Sequence, residues 1–313
     1  MALLWAILIL VGMLVLAAAA WSWRVNAAIE RALPAQGQWI EVPGAKLHYV
    51  ELGADNPGAP LVMIHGILGQ IRNFTYDCAE RLARDRRVIV VDRPGWGWSG
   101  LAGPRPRIPR QGAMIAAFAD ALGLEAPVLV GHSMGGAVSL AAALHAPGRF
   151  GALALIAPYT QPVDRPPAPF RELMVPTWLA PLIAWTLAMP VGIRKGRERA
   201  AQVFAPDAAP ADFAARGGGM LAMRPKSFLS GVFEIHVASL DMAAQAPRYA
   251  SLTLPVAILY GREDALLDPE LHGRKTADAI PHGRLTLIEG GHMLQICHAD
   301  ETEAWLRGVL SGS

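Results

Sequence analysis

The first apolar run of the chain is also its longest. Residues 1–23 carry no charged side chain, and Leu3, Leu4, Ile7, Leu8 and Ile9 lead into Leu16 and Ala20. A stretch of that length spans a bilayer as a helix, with Trp21 and Trp23 at the interface and Arg24 just beyond. Later apolar runs are short and read differently. Residues 39–42 and 46–52 form two strands around a Pro43-Gly44 turn, and the unbroken runs 61–64 and 87–91 suit strands buried on both faces. Residues 126–130, 152–157, 256–260 and 284–288 read as further strands. Helical spacing covers 74–84, 111–124, 137–145, 270–280 and 293–310.

Strands alternating with helices predict an α/β architecture built on a doubly wound, mostly parallel sheet. The rhythm breaks between residue 159 and about 240, where prolines are frequent and no buried-strand pattern occurs. The chain therefore divides into an anchor (1–23), a linker (24–37), a first core part (38–158), an inserted helical cap (159–240) and a second core part (241–313).

Composition narrows the function classes. The 313 residues are 53% hydrophobic and 17% charged, which suits one large domain with an insertion. The formal charge of +2 and the scattered arginines give no basis for nucleic-acid binding. Cys78 and Cys297 form neither a short-spaced framework nor a metal motif and read as small buried hydrophobes. Ala17 to Ala20 would suit signal-peptide cleavage, but a basic n-region is absent and the apolar stretch exceeds a usual h-region. A retained single-pass membrane anchor is the expectation. Arg24 and Arg31 follow it with no Lys or Arg before it, so the positive-inside rule favours a cytoplasmic body, and either membrane face stays open.

Gly131-His132-Ser133-Met134-Gly135-Gly136 joins the 126–130 strand to the 137–145 helix. Glycines around a serine at such a junction permit a tight turn that exposes the hydroxyl, the G-x-S-x-G nucleophile elbow. A serine needs a histidine to take its proton, and that histidine needs an acid to orient it. Both should follow the ends of later strands. Gly261-Arg262-Glu263-Asp264 follows one and Glu289-Gly290-Gly291-His292 the other, so the candidates run Ser133, Asp264, His292. Glu263 and Asp268 rival Asp264, while His48, His145 and His298 have ordinary structural readings. Backbone N–H groups of Met134 and of Ile67, in the loop after the 61–64 strand, are the candidate oxyanion donors.

Taken together, His65-Gly66, the loop from Asp92 to Ser99, the Ser133 elbow, Gly261 to Asp264 and Gly290-Gly291-His292 resemble the α/β-hydrolase superfamily over residues 38–309. The resemblance implies Ser133 as nucleophile, His292 as general base, Asp264 as its orienting acid, and Ile67 and Met134 as oxyanion donors. It implies no cofactor and no metal, and a structural role for the Asp92–Ser99 loop. Branches with an aspartate at the elbow, the haloalkane dehalogenases and epoxide hydrolases, are disfavoured by Ser133. Hydrolysis of an apolar carboxylic ester or lipid is the default. Perhydrolysis, carbon–carbon bond hydrolysis and a non-catalytic module binding a hydrophobic ligand or partner are the alternatives.

Residues 173–193 lack charge, and Arg194, Lys195, Arg197 and Arg199 follow them. Pro176, Pro181 and Pro190 disfavour a second membrane span. Two readings stay open: this segment lines an acyl pocket, or it dips into the headgroup region while the basic cluster meets anionic lipid. Oligomeric state is not encoded in any of these patterns.

Overall fold

The computed structural model describes residues 1–311. The chain opens with helix α1 (Ala2–Ala32) and enters the sheet through β1 (Gln38–Val42) and β2 (Ala45–Leu52). It continues through β3 (Leu61–Ile64), α2 (Arg72–Thr75), α3 (Cys78–Leu82), β4 (Val88–Val91) and the two-residue β5 (Gly100–Leu101). Next come α4 (Ile108–Ala121), β6 (Val128–His132), α5 (Met134–His145) and β7 (Ala152–Ile156). Helices and helical turns then fill the chain as far as the next strand: a turn at Ala168–Leu173, α6 (Ala180–Thr186), α7 (Ala188–Phe204), a turn at Gly219–Met223 and α8 (Pro225–Gln245). Finally β8 (Val256–Gly261), α9 (Lys275–Ala279), β9 (Gly283–Ile288), α10 (Leu294–Cys297) and α11 (Ala299–Ser311) complete the fold.

The apolar runs without polar interruption lie at the centre of the sheet. β3, β4, β6 and β7 are buried at every position. The strand order is β1-β2-β4-β3-β6-β7-β8-β9, with β5 beside β2. From β4 to β9 neighbouring strands are parallel, and β1 and β2 add an antiparallel edge. One face is covered by α4 and α5, through Ile115, Phe118 and Leu140. The other is covered by α2, α3 and α11, through Phe74, Leu82 and Leu306. From β3 the chain moves to β4 on one side and later to β6 on the other. That reversal opens a crevice at the carboxyl ends of β3 and β6, where doubly wound sheets place their sites.

Several expected helices are broken by tertiary contacts. The helix expected over 74–84 is two pieces, α2 and α3. Asn73 Nδ2 donates to the Gly217 carbonyl (3.1 Å) and Tyr76 to Asp212 (2.6 Å), which holds α2 against the β7–β8 insertion, while α3 packs on β4 and α11. The stretch expected over 270–280 begins with a widened helical turn at Pro269–Arg274, and that over 293–310 divides at His298. Residues 24–32, expected as linker, continue α1 without a break. Val25, Ile29 and Leu33 of this extension cluster with Met189 and Leu221, so the end of α1 is packed onto the insertion. Both cysteines are free thiols. Cys78 is buried and Cys297 half-buried, and burial pushes their pKa up to about 12 and about 11.

Candidate active site

Ser133 sits where β6 ends and α5 begins, at φ 53° and ψ −120°. A non-glycine residue there is strained by roughly 1–3 kcal/mol, which surrounding bonds must hold in place. They do so from both sides: Ser133 N–H donates to Ile156 O (3.0 Å), and its carbonyl accepts from Gly136 N–H and Tyr159 N–H (both 2.9 Å). The glycine at 135 is demanded by close approach, since a Cβ there would lie 2.0 Å from Ile64 O. Gly66 plays the matching part in the β3 loop, where an added Cβ would lie 2.9 Å from Ser133 Cβ. The loop carrying Ile67 therefore lies directly against the serine.

Asp264 and His292 come together from the ends of β8 and β9. His292 Nδ1 is 2.8 Å from Asp264 Oδ2, and both side chains are buried. The other carboxylate oxygen accepts from Leu266 N–H (2.9 Å) and Leu267 N–H (3.1 Å), which locks its orientation. The rival acids have other employment: Glu263 accepts from Gly290 N–H (2.7 Å), and Asp268 caps the following turn through Glu270 N–H (2.9 Å). Among the described residues neither His292 Nε2 nor the Ser133 hydroxyl has a hydrogen-bond partner.

Ser133, His292, Ile67 and Met134 all line one cavity of about 260 Å³. Phe170, Met174 and Ile235 supply apolar wall from the insertion; Asp164, His236 and Ser239 are its polar members there. His236 Nδ1 donates to Val232 O (2.8 Å), which leaves Nε2 as its free nitrogen. Met134 begins α5, and first-turn amides have no partner within their own helix. Ile67 N–H likewise donates to no acceptor among the described residues. Two amides near a buried serine, in a largely apolar cavity, can stabilise an oxyanion far better than water could.

The arrangement has supports that residue patterns left unnoticed. Arg93, inside the Asp92–Ser99 loop, is wholly buried and forks onto Glu234 of α8 (2.6 and 2.9 Å). The same guanidinium donates to Gly66 O (3.0 Å), and Arg93 N–H donates to His65 Nε2 (3.0 Å). That bond makes Nε2 the bare nitrogen of His65, whose Nδ1–H therefore points at Gly66 O (2.8 Å). Burial and the neighbouring Arg93 push the His65 pKa down to about 3, so the ring is neutral. On the other side Asp207 accepts from Gly291 N–H (3.1 Å) and holds His298 Nε2 (3.1 Å), steadying the loop that carries His292. His132 leans on the His292 ring at 4.9 Å and, being buried, is kept neutral far below its usual pKa. The one available signal was Glu234, a lone acid in the apolar run from Gly231 to Val237.

No group of three or more His, Cys, Asp or Glu suited to a metal occurs among the described residues. Residues 59–299 match a family model described as the alpha/beta hydrolase fold. The dihydrolipoyllysine-residue acetyltransferase component of the acetoin cleaving system of Pseudomonas putida is 32% identical over 280 residues, covering 87% of this chain and 69% of that protein. A 2-hydroxy-6-oxononadienedioate/2-hydroxy-6-oxononatrienedioate hydrolase of Dechloromonas aromatica is 26% identical, covering 82% of this chain and 87% of its own. Among solved structures, a bacterial membrane phospholipase A superimposes with a TM-score of 0.67 at 22% identity, over 99% of this chain and 97% of its own.

Proposed function

Because the chain belongs to the α/β-hydrolase family, we propose that it is a serine hydrolase that cleaves apolar carboxylic esters through an acyl-enzyme on Ser133. The observation that carries this reading is the pairing of His292 Nδ1 with Asp264 at 2.8 Å, with His292 and Ser133 lining the same cavity. In this reading His292 takes the Ser133 proton as the serine oxygen bonds to the ester carbonyl carbon. The carbonyl oxygen becomes an oxyanion between the Ile67 and Met134 amides. Collapse breaks the bond to the alkoxy oxygen, and His292 returns the proton to the departing alcohol. A water deprotonated by His292 then attacks the acyl carbon; the bond from that carbon to the Ser133 oxygen breaks, His292 returns the proton to the serine oxygen, and the acid leaves. Asp264 holds the ring and stabilises its charged form throughout. Bonds and protons balance without a cofactor.

Ester rather than diacid substrates are favoured by the cavity wall, which includes no Arg or Lys to pair a second carboxylate. That counts against carbon–carbon bond hydrolysis of a dienedioate. The apolar first part of α1, up to Trp23, serves as a single-pass membrane anchor in the same reading. A fluorophosphonate probe should label Ser133 in the full-length protein, and p-nitrophenyl esters of graded chain length should be cleaved with a preference for medium or long acyl groups. Folded protein that neither reacts with the probe nor turns over any of these esters would overturn the proposal.

A further inference from the structure

Helix α1 is longer than a bilayer requires. Its 31 residues rise about 46 Å at 1.5 Å each, and a hydrocarbon core of about 30 Å takes roughly twenty of them. The remainder is not a free tether. Val25, Ile29 and Leu33 pack on Met189 and Leu221, and Glu30 pairs with the buried guanidinium of Arg224 (3.2 Å). The packing also has a definite height. Ser22 is fully buried although it lies between the exposed Trp21 and Trp23, so the protein body covers α1 at the level where the tryptophans and Arg24 mark the edge of the apolar span.

α6 is one of the elements packed against α1. Ala180 and Ala184 turn inward, whereas Leu182 and Trp185, three residues apart on the opposite face, are exposed. Trp178 just before the helix is 78% exposed and Leu187 just after it 60%. No charged residue occurs between Leu173 and Ile193. The basic residues beyond are partly spoken for, because Glu172 pairs with Lys195 and with Arg199. Insertion of apolar side chains is thus the better-supported mode of contact, ahead of attraction to anionic headgroups. Finally, Met174 is half exposed and also lines the cavity beside Ser133, which connects the cavity wall to the segment that carries this apolar face.

We propose that Trp178, Leu182, Trp185 and Leu187 seat in the bilayer interface at a depth set by α1, and that the cavity takes its ester from the lipid phase. This rests on reading α1 as a membrane anchor, and the substrate class it assigns is a bilayer-dissolved amphiphilic ester. The full-length protein in nanodiscs containing a phospholipid with a diazirine in its acyl chain supplies the test. After irradiation, lipid adducts are expected on peptides from α1 and on the peptide carrying 178–187. Adducts on α1 alone overturn the proposal and leave the anchor standing; adducts on neither overturn the anchor as well. Protein–protein cross-links between 178–187 segments, in place of lipid adducts, would assign the face to a second copy of the chain and also overturn it. In Trp178→Asp/Leu187→Asp protein the 178–187 adducts should vanish, and hydrolysis of a nanodisc-embedded lipid ester should fall about tenfold or more. Hydrolysis of water-soluble p-nitrophenyl butyrate should be unchanged. An equal fall on both substrates overturns delivery from the bilayer. Failure of the wild type on both esters would instead count against the serine-esterase reading.

Discussion

Two buried histidine–aspartate hydrogen bonds occur among the described residues, and their geometry at the shared bond is nearly the same. His292 meets Asp264 at 2.8 Å, and His48 meets Asp92 at 2.7 Å. What differs is the far side of each ring. His48 Nε2 lies 2.5 Å from Gln36 O, so both of its nitrogens are occupied by protein oxygens. His292 Nε2 has no hydrogen-bond partner among the described residues, and its residue borders the cavity. The acids differ as well. Asp92 gathers bonds from Ile71 N–H (2.9 Å), Trp98 N–H (2.7 Å) and His48, tying β2, β4 and two loops together. Burial works against its charge, yet those hydrogen bonds and the nearby His65 and His48 hold its carboxyl below the usual range. A buried His–Asp pair is therefore a structural rivet unless its outer nitrogen opens onto space that a substrate can enter.

Mutations can break this contrast. The largest effect is expected at the open pair: Ser133→Ala and His292→Ala should each lower kcat by about 10⁴-fold or more, measured on p-nitrophenyl esters with unchanged thermal unfolding. Asp264→Asn should cost on the order of 10⁴-fold in kcat with little change in KM, because the ring loses its tautomer and the stabilisation of its charged form. Full activity in Asp264→Asn would transfer the role to another acid. At the closed pair the loss should appear as stability. Asp92→Ala leaves His48 and two amides unpaired inside the core and should lower unfolding free energy by about 3–5 kcal/mol. Glu234→Ala should cost a similar amount, since the fully buried Arg93 would lose its counter-charge. Catalytic loss in Asp92→Ala without destabilisation would erase the distinction between the two pairs.

The smallest effect, taken per pH unit, is a pH dependence. His65 and His272 are neutral in the fold, with burial pushing their pKa down to about 3 and about 4 from 6.5. Between those values and 6.5 the unfolded chain binds more protons than the folded one, so stability rises with pH. The stabilisation is complete above pH 6.5 and is lost on acidification, by roughly 1 kcal/mol per pH unit per histidine down to about pH 4. Thermal midpoints recorded in detergent from pH 7 to 4.5 should fall steadily; a midpoint that rises on acidification would contradict it.

Much of the core half of the candidate site could be read from residue order. An elbow glycine, a serine, and the acid and histidine at later strand ends are each local features, because tight turns and strand ends leave marks within a few residues. The cap half was far less legible. Arg93 finds Glu234 at a separation of 141 residues, and Asp207 reaches Gly291 across 84. Nothing near Arg93 in the chain distinguishes a buried guanidinium from a surface one. The break of the 74–84 helix has the same origin, since the partners of Asn73 and Tyr76 lie in a distant segment.

By itself the sequence determined a mostly parallel sheet, the place of the elbow and of the candidate acid and histidine at later strand ends, and an apolar first helix. Those follow from hydrophobic periodicity and turn chemistry, which act over a handful of residues. Only the tertiary structure decided which His–Asp pair keeps an open nitrogen, and which buried cation braces the loop after β3. It also showed that α1 continues past its apolar span to dock on the body. These outcomes depend on burial and on hydrogen-bond partners brought together from remote parts of the chain, where packing rather than local pattern selects which polar group is enclosed and which faces open space.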